Sequence, residues 1–314
     1  MTQPGPALVA EPTVEVDTVS KWFGQKVAVS SVSCSFGPGV TGLLGPNGAG
    51  KTTMLRMLTG LTLPSEGAIR VLGEAPRKHV AVYKDVGLVP EENAVYPSMT
   101  CFEYVRYAAK LSGLADPYAA TLAAIDEVAL TDDAHRKLEG FSKGMRQRAK
   151  VAAAIVHRPK ILVLDEPLNG TDPIQRAHLI DLFKELGAAG NTVIVSSHIL
   201  EEVERMSGRI IAMVDGKLAA AGDVSAIRRA MKEIPYRVRV ATDRPRELAA
   251  AALGSGVVNG AQLMPDGLHV ETGDVTDLGR RLPGVAMEVG ATLTGFVPED
   301  LSLESVFRYL VHRR

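Results

Sequence analysis

β-branched apolar residues recur with partial alternation at Val14, Val16 and Val19, and again at Val27, Val29 and Val32. That period predicts two antiparallel strands flanking a tight turn at Phe23-Gly24-Gln25-Lys26. A short apolar run over 40–44 predicts another strand, and it leads directly into a glycine-rich stretch at 45–53. Beyond that stretch Met54, Leu55, Met57 and Leu58 line a helix that Gly60 can end. A further strand is expected at 86–89. From 96 to 157 the apolar spacing becomes helical, as at Val105, Ala108, Ala109 and Leu111, which predicts an inserted helical lobe. Strands at 161–164, 192–196 and 210–214 then alternate with helices at 174–186 and 200–206. Such alternation argues for a mainly parallel sheet covered by helices, an α/β fold.

Residues 1–12 hold three prolines and little periodicity, and read as a flexible lead-in. Near residue 224 the texture changes: arginine replaces lysine, and turns are signalled at Gly254, Gly256, Pro265, Gly267, Pro283 and Gly284. A domain boundary is placed there, giving a large domain over 13–224 and an accessory domain over 225–314. The accessory stretch reads as strand 236–241, helix 246–253, strands 257–264 and 268–272, helix 275–282, strand 287–296 and helix 303–312. That order is the split βαβ, ferredoxin-like α+β pattern.

Composition narrows the field of functions. With 314 residues, 46% apolar and 23% charged, the chain can bury a full core, which excludes disordered, collagenous and disulfide-scaffold classes. Because 35 Lys+Arg stand against 36 Asp+Glu, no broad cationic field exists for nucleic acid, and none is expected as a partner. Cys34 and Cys101 are far apart without CxxC spacing, so neither a thiol redox motif nor a zinc cage is suggested, and a reducing compartment fits. The first residues lack Lys and Arg and do not read as a secretory signal. No run approaches the ~18 apolar residues a spanning helix needs, so a membrane role must come through a partner.

Candidate chemistry concentrates at two places. Gly45-Pro46-Asn47-Gly48-Ala49-Gly50-Lys51-Thr52-Thr53 matches GxxxxGK[ST] between an apolar strand and a helix. The glycines free backbone N–H groups to point inward, and with the helix N-terminus these form a nest for phosphates. Lys51 would then reach the β- and γ-phosphates of a nucleotide, and Thr52 would ligate Mg2+. The second place is the strand 161–164, which ends in Asp165 and Glu166. An aspartate there can hold hydrated Mg2+, while the adjacent glutamate polarises a water for in-line attack.

With these motifs in order, residues 13–224 resemble the ATP-binding subunit of an ABC transporter. The resemblance implies a P-loop NTPase of ABC type with an antiparallel β subdomain and a helical lobe. It puts Phe23 in the place of the aromatic that stacks on adenine, ahead of its neighbour Trp22 because Gly24 follows. Ser142 and Gly144, in Phe141-Ser142-Lys143-Gly144-Met145, stand at the signature motif that contacts ATP held by the opposite subunit. Asp172, in Asn169-Gly170-Thr171-Asp172, matches the loop used across the dimer interface, and His198 resembles the switch histidine at the γ-phosphate. Glu91 takes the position of a glutamine that contacts Mg2+, Lys143 that of a glycine, Met145 that of a glutamine and Thr171 that of a leucine. Lys143 either adds positive charge near the phosphate across the dimer or is a solvated lysine.

The resemblance implies an ATPase that pairs as a homodimer or heterodimer around two MgATP and powers separate integral-membrane permease subunits. It would lie peripherally on the cytoplasmic face of the cell membrane. The departures and the stretch 298–307 resemble the branch of drug, antibiotic and polysaccharide exporters. The alternative is a non-transport ABC-type ATPase acting on ribosomes or DNA, which typically carries two cassettes or a long coiled coil. The accessory domain reads either as a dimer-stabilising appendage or as a regulatory ligand-binding module.

Overall fold

The computed structural model describes residues 9–92, 95–223 and 236–298. Contacts divide the chain into two compact units, with the division between residues 224 and 225. In the first unit the elements run β1 (Val14–Phe23), β2 (Lys26–Phe36), β3 (Gly39–Leu44), α1 (Lys51–Leu58), β4 (Glu66–Val71) and β5 (Val86–Val89). The lobe follows as α2 (Cys101–Leu111), α3 (Pro117–Glu127) and α4 (Lys143–Ile155). Then come β6 (Ile161–Asp165), α5 (Pro173–Ala188), β7 (Thr192–Ser197), α6 (Leu200–Met206), β8 (Arg209–Val214) and β9 (Lys217–Asp223).

Among the described residues of this unit, the strands form two sheets. One has the order β5-β6-β7-β3-β8-β9, parallel except for the antiparallel edge strand β9. The other is antiparallel, in the order β2-β1-β4. Strand β6 shows why the parallel sheet reads as a continuous apolar run: its side chains alternate between two cores. Ile161 and Val163 join Met54, Met57, Val16 and Val32 on one face. Leu162 and Leu164 join Leu179, Phe183 and the lobe on the other. Each such fully buried aliphatic or aromatic side chain contributes about 1.5–3 kcal/mol. Gly42 lets α6 approach β3 directly, because a Cβ there would lie 2.1 Å from Val203 Cγ1.

The strand order brings β6, β7 and β3 side by side, so the chain leaves all three at one edge. Leu44 pairs with Ser197, and Asp165 with Ser196. The loops that begin at Gly45, Glu166 and His198 therefore emerge together, as crevices do at the carboxyl ends of parallel strands.

The second unit contains β10 (Tyr236–Thr242), α7 (Pro245–Gly254), β11 (Gly260–Met264), β12 (Gly267–Thr272), α8 (Val275–Glu288) and β13 (Leu293–Pro298). Its antiparallel sheet has the order β11-β12-β10-β13. Val238, Val240, Leu248, Leu268, Val270, Leu278 and Leu282 form its core. Two sequence expectations are corrected in this unit. Pro283 and Gly284 do not end a helix, since α8 runs through them to Glu288. Leu278, Leu282, Val285 and Ala286 make one buried face, and that burial outweighs the missing proline N–H. The strand expected at 287–296 accordingly begins only at Leu293, after a turn at Gly290 with φ +64°. The helix expected at 303–312 lies outside the described residues.

Candidate functional site

The 45–53 loop wraps from the end of β3 into α1, and two of its glycines, Gly45 and Gly50, are required by space. Gly50 precedes the first residue of α1 with φ +98°, and a Cβ there would sit 2.5 Å from the Ala28 carbonyl oxygen. At Gly45 a Cβ would meet the Met213 carbonyl at 2.2 Å. Helix α1 starts with no side-chain cap and no acidic residue in its first turn, so its positive end faces the loop. Lys51 is buried, with 6% of its surface exposed. Its Nζ donates to the carbonyls of Gly45 at 2.7 Å and Pro46 at 3.2 Å.

The carboxylate pair ends β6. Asp165 Oδ1 accepts a hydrogen bond from Ser196 Oγ at 2.6 Å, and the same hydroxyl accepts the Glu166 N–H at 2.9 Å. One serine on β7 thus orients both residues. That bond also helps hold Glu166 at φ +49°, a conformation that costs a non-glycine residue about 1 kcal/mol or more. Glu166 Oε1 lies 3.5 Å from Lys51 Nζ, and His198 Nδ1 lies 3.0 Å from Glu166 Oε2. Burial pushes the Glu166 carboxyl above the ordinary carboxylate range, opposed by the Lys51 charge and by His198.

Around this core lies an open cleft of about 420 Å³ lined by Phe23, Lys26, residues 46–53, Glu91 and Glu166. Phe23 is 54% exposed, with the Lys21 ammonium 4.9 Å from its ring centroid. A second cavity, about 270 Å³, is lined by Thr52, Arg56, Leu61, Glu91, Glu92 and Asp165 among others. Thr52, Asp165 and Glu91 are hard oxygen donors that fit Mg2+ sharing its remaining ligands with phosphate and water. Among the described residues no group of three or more His, Cys, Asp or Glu side chains forms a cage of its own.

Ser142, Gly144 and Asp172 do not line either cavity. Ser142 is the exposed N-cap of α4, its Oγ accepting the Met145 N–H at 3.1 Å. Gly144 is buried against the next loop: a Cβ there would stand 2.9 Å from the Gly170 carbonyl oxygen. Lys143 lies with its aliphatic stem over Gly170, whose own Cβ would meet Lys143 Cδ at 2.5 Å. Asp172 caps α5, its Oδ1 accepting the N–H groups of Ile174 and Gln175 at 3.0 Å each. Sequence reasoning passed over Ser196 and also Lys150, a buried lysine that holds the backbone on both sides of Glu91.

A glycine cradle with its lysine after β3, together with an Asp-Glu pair at the end of β6, one strand away across β7 in the same parallel sheet, defines a P-loop nucleoside triphosphatase. Comparison with known proteins narrows the class. Residues 29–169 match the family model described as ABC transporter. LnrL, a linearmycin resistance ATP-binding protein of Bacillus subtilis (strain 168), is 39% identical over 213 residues, covering 67% of this chain and 68% of that protein. YxlF of the same organism, named as an ABC transporter ATP-binding protein, is 31% identical over 302 residues, covering 95% of this chain and 99% of that one. A solved structure of an ATP binding subunit of an ABC transporter matches with TM-score 0.64 at 28% identity, covering 69% of this chain and 92% of that chain. The chain belongs to the ABC transporter family as an ATP-binding subunit, and it is an ATP hydrolase of that class. No helix among the described residues is long and apolar enough to cross a membrane.

Proposed function

We propose that two copies of this chain, or this chain and a similar subunit, close head to tail around two MgATP and power a separate integral-membrane permease of an exporter. In this reading each ATP is held between the 45–53 loop of one subunit and the Ser142 helix tip of the other. Phe23 stacks on the adenine. Lys51 moves from the Gly45 and Pro46 carbonyls to the phosphates. Thr52, Asp165 and Glu91 would hold Mg2+, which when bound offsets charge on the transferred phosphoryl group. Glu166 takes the proton of the attacking water, and His198 orients Glu166 and reaches the γ-phosphate. Gly144 and Asp172 pack or cap the two loops that face the partner.

One observation carries the reading. Glu166 sits in a single contact network with Lys51 and His198 at the mouth of the glycine cradle, at 3.5 and 3.0 Å. Burial raises its proton affinity, as a general base requires. The permease assignment is supported by exposed apolar side chains on the same unit. Leu61 and Val80 line a groove of about 530 Å³ beside Gly60, Arg77 and Tyr83. Leu63, Tyr96, Tyr107 and Leu111 are also exposed. An apolar-rimmed groove with further exposed apolar side chains on the same unit is the kind of surface that marks an interaction site. The chain would thereby lie peripherally at the cytoplasmic face of the cell membrane. The export direction is supported by the relative named for linearmycin resistance.

Light scattering on the Glu166→Gln variant tests the shared-nucleotide arrangement. Saturating MgATP should double the mass, and adding Ser142→Glu should abolish the doubling. A monomer at saturating MgATP would overturn pairing between two copies of this chain, and a monomer that persists when the co-purifying ATP-binding subunit is added would overturn the arrangement.

A further inference from the structure

Lys150 is 2% exposed, inside a helix whose neighbouring positions are Ala149, Val151 and Ala152, all buried. Burying an ammonium is costly unless its donors are used and its charge is matched. Here the donors are used in an unusual way. Lys150 Nζ donates to the Pro90 carbonyl at 2.7 Å and to the Glu92 carbonyl at 3.0 Å, so the ammonium straddles the backbone at Glu91.

The surrounding charges say what the straddle is for. Thr52, Asp165, Glu91 and Glu92 line one cavity on the metal side of the cleft. Glu92 is paired with Arg56 at 2.5 Å, and Glu166 with Lys51 at 3.5 Å. Lys150 is a cation whose charge acts on both Asp165 and Glu91, while burial pushes its own proton affinity down to about 8. It also has mechanical reach. Ser142 caps the start of α4, about two helical turns before Lys150, so one rigid helix joins the Ser142 tip to the Glu91 loop.

We propose that Lys150 is a positioning residue for MgATP hydrolysis: by holding the carbonyls on either side of Glu91 it sets that carboxylate beside Asp165 and offsets its charge. This rests on the ATPase reading of the cleft. Without the ammonium, two carboxylates share the metal side uncompensated and the loop is free to withdraw from Asp165.

The test is steady-state MgATP hydrolysis by the purified full-length chain, with Mg2+ titrated. The variants are Lys150→Met, Glu91→Gln and the double variant, each checked for folding by thermal melting. Binding of a fluorescent ATP analogue is measured in EDTA. Lys150→Met should lower kcat by about 10²-fold, the scale of loss when a site group is displaced by about 1 Å. It should raise the Mg2+ concentration for half-maximal rate and leave Mg2+-free nucleotide affinity unchanged. Adding Glu91→Gln should restore about tenfold of that loss, since the two groups are coupled. A Lys150→Met enzyme at wild-type rate, or a double variant showing the product of the two single losses, overturns the proposal. If Lys150→Met does not fold, the double variant is compared with Glu91→Gln. Similar rates support the proposal, and a much slower or unfolded double variant overturns it, because the ammonium is then needed by the fold itself. A wild-type chain that hydrolyses no MgATP overturns the ATPase reading, and this assignment with it.

Discussion

His198 Nδ1 lies 3.0 Å from Glu166 Oε2, joining the residue that follows β7 to the one that follows β6. Both carboxylate oxygens of Glu166 come within reach of that nitrogen, the second at 3.2 Å. The histidine therefore acts on Glu166 in two ways: it fixes the carboxylate's rotation, and it favours the ionised form against the cost of burial.

A pH dependence follows, with a definite sign. Burial raises Glu166 above the ordinary carboxylate range, so as pH falls it protonates earlier than a solvated glutamate and loses its capacity as a base. The acid limb of kcat/KM, which reports the free enzyme, should lie above the usual carboxylate value. His198→Ala removes an influence that lowers the proton affinity, and should move that limb to higher pH. The measurement is a pH–rate profile of both proteins, and an unmoved limb in His198→Ala would disconnect the pair.

Gly50 offers a test of the cradle's backbone. Its φ of +98° and the 2.5 Å approach a Cβ would make to the Ala28 carbonyl oxygen leave alanine no strain-free solution. Gly50→Ala should destabilise the fold by about 1–3 kcal/mol, through strain at a special backbone conformation. ATP affinity should fall with it, because the amides that follow Gly50 lose their aim. Denaturant unfolding and nucleotide titration of the same sample check both effects.

The two cysteines should be silent. Burial pushes both Cys34 and Cys101 up to about 12, so the reactive thiolate is scarce at neutral pH. Thiol-specific labelling of the native protein should be slow at both sites and become rapid in denaturant. Fast labelling of either cysteine under native conditions would contradict the packing around it.

Much of the site is legible in sequence because its chemistry is local. The cradle is nine consecutive residues, and Asp165-Glu166 announces itself at the end of a five-residue buried strand. What escaped is what depends on distant partners. Lys150 has the spacing of an ordinary helix lysine, and the carbonyls it holds belong to a loop 58–60 residues earlier. Ser196 is likewise unremarkable until the parallel pairing of β7 with β6 sets it beside Asp165. Strand β9 is rich in alanine, a weak strand former, and exists by pairing with β8 across a turn at Asp215-Gly216. Its cue was present, since that dipeptide takes positive φ at both positions, the geometry of a tight hairpin. Pro283 misled in the opposite direction, because a tertiary face held α8 together across a residue that ends most helices.

The account stands on Glu166 as the base that activates water beside the Lys51 cradle. Single-turnover release of inorganic phosphate from bound MgATP, compared between wild type and Glu166→Gln, measures this directly. Loss of a general base predicts a rate lower by about 10²–10⁴-fold with ATP affinity retained. A Glu166→Gln protein that releases phosphate at the wild-type rate would contradict it.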